Sequence, residues 1–383
     1  MKRHRYVPLT LVVLASLLVG LTAGCSTIDE PAPAPPPARS DTVVQPRAFD
    51  SKVWQSLPET DRQLFTQLAF ITRTFTERAG EIWAPAFRPD RQPRVLGALP
   101  AGAKKPTYAY AIGHPNPTAL GKATPVDLPK ELGLQPVYRI DSGPGIDALA
   151  EVPFFAVDNG VISYNYGPGA RDTWDPTKWL LSRVDVHEAF HTYQGTFGLA
   201  PGQEDPMTYP RDPASVHALA LVEDRVLAQP ATTADDARAT LRSFLALRAT
   251  RYQQQPGVRA VEREQESYEG TARFAEDAFV TEGGQDDDHP NRVPDDSRDL
   301  FNYLTGNRSY QVGAVLGRLL ERTNGTAWRD RIVAGASPYE AVQQFIGDPA
   351  PEERDRLVAA AKQQYGYDQL LDKVIRADLP SVR

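Results

Sequence analysis

The sequence is poor in cysteine: of its 383 residues only Cys25 is one. No disulfide can therefore form within the chain. A thiolate ligand is also excluded for any metal bound after residue 25, which leaves imidazole and carboxylate groups as ligands. That set of ligands is typical of catalytic rather than structural zinc sites.

An excess of basic charge is also lacking. The sequence has 42 Lys and Arg against 49 Asp and Glu, a net charge of −7. Nucleic-acid binding usually needs a basic patch or stripe, so we expect no nucleic-acid partner. The chain also shows no internal repeat.

Long apolar runs are limited to residues 7–21, which follow a basic N-terminus and are shorter than a membrane span. The run ends in LTAGC, which resembles the lipobox of bacterial lipoproteins, although Thr22 replaces the more usual Leu. The resemblance implies a signal peptide over residues 1–24 and a diacylglycerol on Cys25. It places the protein outside the cytoplasm on a bacterial membrane, and Ser26 suits the outer membrane of a two-membrane cell. An ordinary signal peptide beside a chance cysteine is the alternative.

The chain from residue 25 to 47 contains the Pro/Ala-rich stretch DEPAPAPPPARSDTVVQP, which predicts an extended tether. We expect one domain over residues 48–383, with a β-containing part at 84–170 and a mainly helical part at 175–383. This order of elements predicts the α+β class.

Local patterns predict individual elements of this domain. A spacing of four, three and four between apolar residues predicts a helix over 58–79 that ends at Gly80. Short apolar runs predict strands at Tyr108–Ile112 and Val137–Ile140. Val152–Val157 and Val161–Tyr166, separated by the turn DNG, predict a hairpin.

A further helix is predicted from Asp175, as N-cap before Pro176, to just before Gly195. Later apolar periodicities predict helices at 213–228, 234–252, 258–279, 308–323 and 351–375.

The helix after Asp175 contains the motif HEAFH, from His187 to His191. Residues four apart share one helix face, so His187 and His191 can ligate one ion. Glu188 lies next to the first ligand, where it can take a proton from a water that the metal activates. The motif therefore predicts a zinc hydrolase site; the alternative is a pair of ordinary helical histidines.

A catalytic zinc site needs a third protein ligand. The remaining histidines, His4, His114, His217 and His289, have no motif around them. The acidic run from 262 to 269 is a better source, and on a helix Glu262, Glu266 and Glu269 fall on nearly one face. The residues alone leave the choice among these three open, with a solvated acidic face as the alternative.

Three motifs together resemble the gluzincin clan of metallopeptidases, most closely its M1-type and glycyl-aminopeptidase-type members. They are HEAFH, the segment YEGTARF from Tyr268 to Phe274, and YQVG from Tyr310 to Gly313. The resemblance implies a zincin-like fold and Zn²⁺ as the metal. It also implies Glu269 as the third ligand and Tyr310 as a donor to the oxyanion.

The sequence departs from that family in two ways. Glu269 follows His191 by 78 residues (269 − 191), whereas M1-type enzymes place this Glu within about five helical turns. Residues 196–261 are therefore predicted to form an inserted helical pair. The Gly-Ala-Met-Glu-Asn segment that grips a free amino terminus is also missing.

An acidic segment at 285–296 offers clustered carboxylates. It is interpreted either as a calcium site without EF-hand spacing or as a solvated loop.

The function predicted from these features is that of a membrane-tethered zinc peptidase acting on a peptide or protein. Two alternatives stay open at this point. One is a non-catalytic lipoprotein that uses a zincin-like fold for binding or scaffolding; the other is a zinc hydrolase for an ester or a cell-wall amide.

Overall fold

The computed structural model describes residues 48–383 except positions 153, 171–172, 176–178, 201–212, 284–296 and 378–383. The predicted signal peptide, Cys25 and the tether lie outside the described residues. So do His289 and the acidic segment at 285–296.

The chain divides into two compact units, each with its own architecture. Of the described residues, the first unit consists of 48–79 and 88–189, and the second of 80–87 and 190–377. The first contains a six-stranded sheet, and the second is helical. The predicted α+β class, with its strands on the N-terminal side, is confirmed.

The sheet has the strand order β3-β4-β2-β1-β6-β5. Strands β1 and β6 pair in parallel and all other neighbours are antiparallel. The strands are β1 (Arg94–Ala98), β2 (Tyr108–Ile112), β3 (Ala123–Pro125), β4 (Val137–Ile140), β5 (Phe155–Asp158) and β6 (Val161–Tyr166). The helices of this unit are α1 (Lys52–Ser56), α2 (Glu59–Ile82), α3 (Pro144–Ala150) and the start of α4 (Leu180–Gly195), beside three short 3₁₀ helices.

The two faces of the sheet differ in chemistry because side chains alternate along each strand. One face is aliphatic: Val95, Ala109 and Ala111 pack in one cluster with Ile146 and Leu149 of α3. The opposite face carries tyrosines, whose hydroxyl groups reach carboxylates on helices α2 and α4.

On α2, the fully buried Asp61 accepts hydrogen bonds from Tyr108 (2.9 Å), Tyr110 (2.7 Å) and Tyr166 (2.7 Å). Burial together with the charge on Asp61 raises the pKa of Tyr108 to about 12. The phenols therefore remain protonated donors at neutral pH, and they satisfy the buried carboxylate without a cation.

On α4, the fully buried Asp185 accepts from Arg94 Nε (2.7 Å) and Tyr164 (2.7 Å). A second guanidinium nitrogen of Arg94 also bonds this carboxylate, so the pair is bidentate. Strands β1 and β6 thereby fix the helix two residues before His187.

The helical unit begins within α4 and continues with ten more α-helices in the described chain. They are α5 (Ala214–Leu227), α6 (Ala234–Gln254), α7 (Val258–Gln265), α8 (Thr271–Glu282), α9 (Ser297–Asn302), α10 (Arg308–Asn324), α11 (Ala327–Val333), α12 (Pro338–Ile346), α13 (Pro351–Gln364) and α14 (Tyr367–Arg376). Two π-helical turns, Glu266–Gly270 and Tyr303–Asn307, lie directly before α8 and α10.

Several sequence predictions match these elements closely. The strands at Tyr108–Ile112 and Val137–Ile140 are confirmed as β2 and β4. The hairpin is confirmed as β5 and β6, with Asn159 (φ 49°) and Gly160 (φ 77°) at the turn, although β5 begins at Phe155 rather than at Val152. Two positive φ values are those of a type I′ turn, which suits a two-residue hairpin. The inserted helical pair is confirmed as α5 and α6.

The predicted start of the active-site helix is wrong. Helix α4 begins at Leu180 rather than after Asp175, and Pro176 lies outside the described residues. The backbone N–H of Ser182 bonds Gln67 Oε1 of α2 at 3.1 Å. An N–H group in the first turn of α4 is thus satisfied by a side chain that is distant in sequence. The sequence pattern had predicted that Asp175 would cap these N–H groups locally.

Two predicted helix ends are also wrong. Helix α2 continues past Gly80 to Ile82, with a local distortion at Arg78. The predicted helix at 351–375 is two helices, because Gly366 adopts a left-handed conformation (φ 66°) between α13 and α14. Within the described residues, no helix combines the length and hydropathy needed to cross a membrane.

The Arg94–Asp185 pair yields a stability prediction. Asp185→Asn leaves a buried guanidinium without its counter-charge, and we expect the free energy of unfolding to fall by about 3–5 kcal/mol. Urea unfolding measures this loss.

The control is Asp147→Asn, which breaks an exposed ion pair with Lys105. We expect this variant to lose less than about 1 kcal/mol, because water screens the pair. Equal losses in the two variants would contradict the role given to Asp185.

Candidate metal centre

The HEAFH motif lies near the middle of helix α4. His187 and Glu188 are buried, and the side chain of His191 is 8% exposed. The motif's Phe190 is part of the helical core, with its ring 4.7 Å from Trp83 and 5.1 Å from Phe87. These ring contacts anchor helix α4 through Phe190, which is not one of the candidate ligands.

Glu269 lies in the π-helical turn Glu266–Gly270, and its side chain is 18% exposed. A carboxylate oxygen of Glu269 is 3.3 Å from His191 Nε2. His187, His191 and Glu269 each offer a ligand atom, and these atoms all lie within 4.8 Å of one another. Among the described residues this is the one group of at least three such side chains that could hold a metal ion.

The arrangement fits a small divalent ion. Zinc bonds of about 2.0–2.2 Å in tetrahedral geometry separate two ligand atoms by about 3.4 Å. The distance of 3.3 Å from His191 Nε2 to a carboxylate oxygen of Glu269 is close to this separation. Two imidazoles and one carboxylate are also a ligand set that leaves a fourth position open, as in catalytic zinc sites.

The other two candidate ligands, Glu262 and Glu266, lie elsewhere. Both are fully buried and bond arginines: Glu262 accepts from Arg251 at 2.5 Å and Glu266 from Arg248 at 2.8 Å. The prediction that Glu262, Glu266 and Glu269 share one face is therefore wrong. The π turn is the physical reason, because its wider spacing rotates Glu269 away from the other two.

Two residues that the sequence reasoning missed surround His191. Gln194, one turn further along α4, is fully buried, and its Oε1 lies 2.7 Å from His191 Nδ1. The ring of Tyr268 stacks on the imidazole at 3.9 Å between centroids. Tyr268 is adjacent to Glu269, so its position in the YEG motif was the available signal.

A buried cluster of charges, here called the arginine cluster, packs behind the π turn. It joins α5, α6, α7 and α10 through ion pairs of 2.5–3.3 Å. Its members are Arg248, Arg251, Arg308, Glu223, Asp224, Glu262 and Glu266. Tyr252 and Tyr303 donate hydrogen bonds to its carboxylates.

Four carboxyl groups of the arginine cluster thus face three guanidinium groups. Burial raises the pKa of Glu266 to about 7, against the opposing effect of Arg248. Burial acts on Glu262 in the same direction, but Arg251, Arg248 and Arg308 hold its pKa below its ordinary value. Protonation of Glu266 therefore balances the charges.

His217 borders the same cluster. Burial lowers its pKa to about 4, and the nearby Arg251 and Arg308 act in the same direction. His217 is therefore neutral at physiological pH.

This balance predicts a pH dependence. The folded state raises the pKa of Glu266 from 4.5 to about 7. The protonated Glu266 carboxyl group therefore contributes fully to the free energy of unfolding below pH 4.5, and this contribution is lost as pH rises through 7. Glu266→Gln mimics the protonated form. We expect it to flatten the stability profile between these values and to be at least as stable as the parent at pH 8, by urea unfolding.

The matched control is Glu262→Gln. The pKa of Glu262 is lowered, so its charged form stabilises the fold and its neutral replacement leaves arginines unbalanced. We expect a loss of about 3–5 kcal/mol at pH 8. A loss of similar size in both variants at pH 8 would disprove the charge balance.

The glycines of the second and third motifs contact each other. A Cβ atom on Gly270 would lie 2.7 Å from Gly313 Cα, and one on Gly313 would lie 2.6 Å from Gly270 Cα. The π turn and helix α10 therefore touch backbone to backbone, which only glycine permits. Tyr310 lies in the first turn of α10, one turn before Gly313. Its role as a donor to the oxyanion stays a prediction.

This contact makes Gly270→Ala a sharp test of the packing. The new methyl group would force two backbones apart, and we expect a loss of roughly 1–3 kcal/mol in the free energy of unfolding.

Gly306→Ala is the control, because a Cβ there meets no atom within 4 Å. We expect a neutral effect or a gain of up to about 1 kcal/mol in urea unfolding. If Gly270→Ala is tolerated equally well, the close approach is wrong.

No known protein family matches this chain, and no curated protein sequence or solved structure is significantly similar to it. The His-His-Glu group is a feature of the structure itself. The resemblance to the gluzincins rests on the three motifs alone.

Proposed function

We propose that this chain is a zinc-dependent peptidase of the gluzincin type with a zincin-like catalytic domain. The observation that carries the proposal is the convergence of His187, His191 and Glu269, drawn from two motifs 78 residues apart (269 − 191). The signal sequence and lipobox add that the enzyme is extracytoplasmic and tethered to a bacterial membrane by a lipid on Cys25. If the cell has two membranes, Ser26 favours the outer one.

The proposed ligands would hold zinc, which supplies a Lewis acid that polarises the substrate carbonyl and lowers the pKa of a water toward about 7. Glu188 follows His187 on α4 and takes the proton of the attacking water. The same carboxylic acid then returns a proton to the leaving amine. The phenolic hydroxyl of Tyr310 donates a hydrogen bond to the carbonyl oxygen as negative charge develops there.

Ligand and base are different residues in this proposal, so their substitutions have different results. In the purified full-length chain, we expect one zinc ion in the parent, clear loss of zinc in Glu269→Ala, and full zinc in Glu188→Gln. Turnover of a peptide library should fall by roughly 10²–10⁴-fold in Glu188→Gln. Elemental mass spectrometry and peptide hydrolysis measure the two effects.

Glu282→Ala is the control for loss of a carboxylate from the same part of the chain, since Glu282 is exposed on α8. It should keep both zinc and activity. A parent chain that stays zinc-free after zinc is offered would contradict the proposal and favour a binding or scaffolding lipoprotein. Zinc retained in Glu269→Ala would contradict the ligand assignment, and zinc-dependent cleavage of esters alone would contradict the peptide substrate.

A further inference from the structure

Gln194 contacts both segments that supply the proposed ligands. Its side chain lies on α4, one turn after His191, and its amide reaches the π turn that carries Glu269. The Nε2 group donates to the carbonyl oxygen of Tyr268 at 2.7 Å and that of Ser267 at 3.3 Å. It also donates to Thr271 Oγ1 at 2.8 Å.

These contacts fix the orientation of the amide. A backbone carbonyl can only accept a hydrogen bond, so the group facing Tyr268 must be the NH₂. The hydroxyl of Thr271 gives its own proton to the carbonyl of Ser267 at 2.6 Å, so toward Gln194 its oxygen also accepts. The carbonyl oxygen of Gln194 therefore points at His191.

The orientation of the amide in turn fixes the tautomer of His191. Gln194 Oε1 lies 2.7 Å from His191 Nδ1 and needs a donor there, so Nδ1 carries the hydrogen. In the neutral ring Nε2 is then left with a lone pair, on the side that faces Glu269. Stacking on Tyr268 at an interplanar angle of 10° restrains the ring plane.

We infer that Gln194 is a positioning residue that prepares His191 to ligate through Nε2 and holds the π turn of Glu269 at the same time. This inference rests on the proposed zinc site. A single buried amide sets one ligand's tautomer and the distance to a second ligand, so its loss weakens metal binding without removing a ligand. Partners of this kind typically change metal affinity by 10–100-fold.

The test compares Gln194→Met with Gln67→Met in the full-length chain. Methionine keeps the side-chain length and loses the hydrogen bonds. Gln67 is also a fully buried glutamine bonded to α4, but at Ser182, away from the ligands. We expect the zinc dissociation constant, from chelator competition, to rise 10–100-fold in Gln194→Met and to change less than threefold in Gln67→Met. Equal zinc affinity in Gln194→Met and the parent would overturn the inference.

A second readout needs no metal. In the Glu269→Ala background at pH 8, nitrogen-15 spectra should show His191 protonated at Nδ1, and adding Gln194→Met should remove that population. An Nε2-protonated His191 in the presence of Gln194 would overturn the inference. If the parent binds no zinc but His191 is protonated at Nδ1, the proposed function fails and the positioning by Gln194 stands.

Discussion

The arginine cluster is the constraint on which the helical unit depends. Three guanidinium groups in a helical core must each meet a carboxylate, because an unpaired buried charge is far more destabilising than any single apolar contact is stabilising. Arg308 of α10 bonds Glu223 at 2.6 Å and Asp224 at 2.9 Å on α5, and it also reaches Glu262 of α7. These pairs set the rotation of each helix about its axis. Helices held only by leucines could slide or turn at a smaller energetic cost than helices held by buried ion pairs, because such a movement would leave a buried charge unpaired.

That rotation would point Glu269 toward the cluster if the helix from Val258 to Glu282 were regular. The π turn resolves the conflict. Glu262 and Glu266 bond arginines of the cluster. The widened turn between Glu266 and Gly270 directs the carboxylate of Glu269 toward His191 instead. A π turn is less stable than an α turn, and the contact of Gly270 with Gly313 and the hydrogen bonds from Gln194 compensate for this at the same place. The second π turn, Tyr303–Asn307, ends directly before Arg308, so both irregular turns adjoin the cluster.

The sequence predicts which side chains form the candidate metal group better than it predicts the ends of the helices around that group. The spacing of His187 and His191 needs only helical geometry, and strands such as β2 follow from local residue preference, so both were predictable. The start of α4 was not, because its first turn is satisfied by Gln67, more than a hundred residues earlier. The choice among Glu262, Glu266 and Glu269 was open for a similar reason: a regular helix places them together, and only the arginines of other helices separate them. The role of Gln194 could not be predicted, because no sequence motif marks this glutamine and its four hydrogen-bond partners are known only from the structure.

The three motifs are individually weak, yet the structure links them physically. HEAFH offers two possible ligands from one helix. The YEG segment offers the third and packs its tyrosine on His191, and the glycine of YQVG lets α10 approach the turn that carries Glu269. If the three motifs were chance matches, their residues would not be expected to lie close together in the folded chain. A pair of ordinary helical histidines also gives no reason for a buried glutamine to bond Nδ1 of the second histidine while Nε2 of that ring faces a carboxylate. These mutual contacts support the proposed metal site independently of any similarity to known proteins, because each contact serves the same geometric requirement of three ligand atoms around one ion.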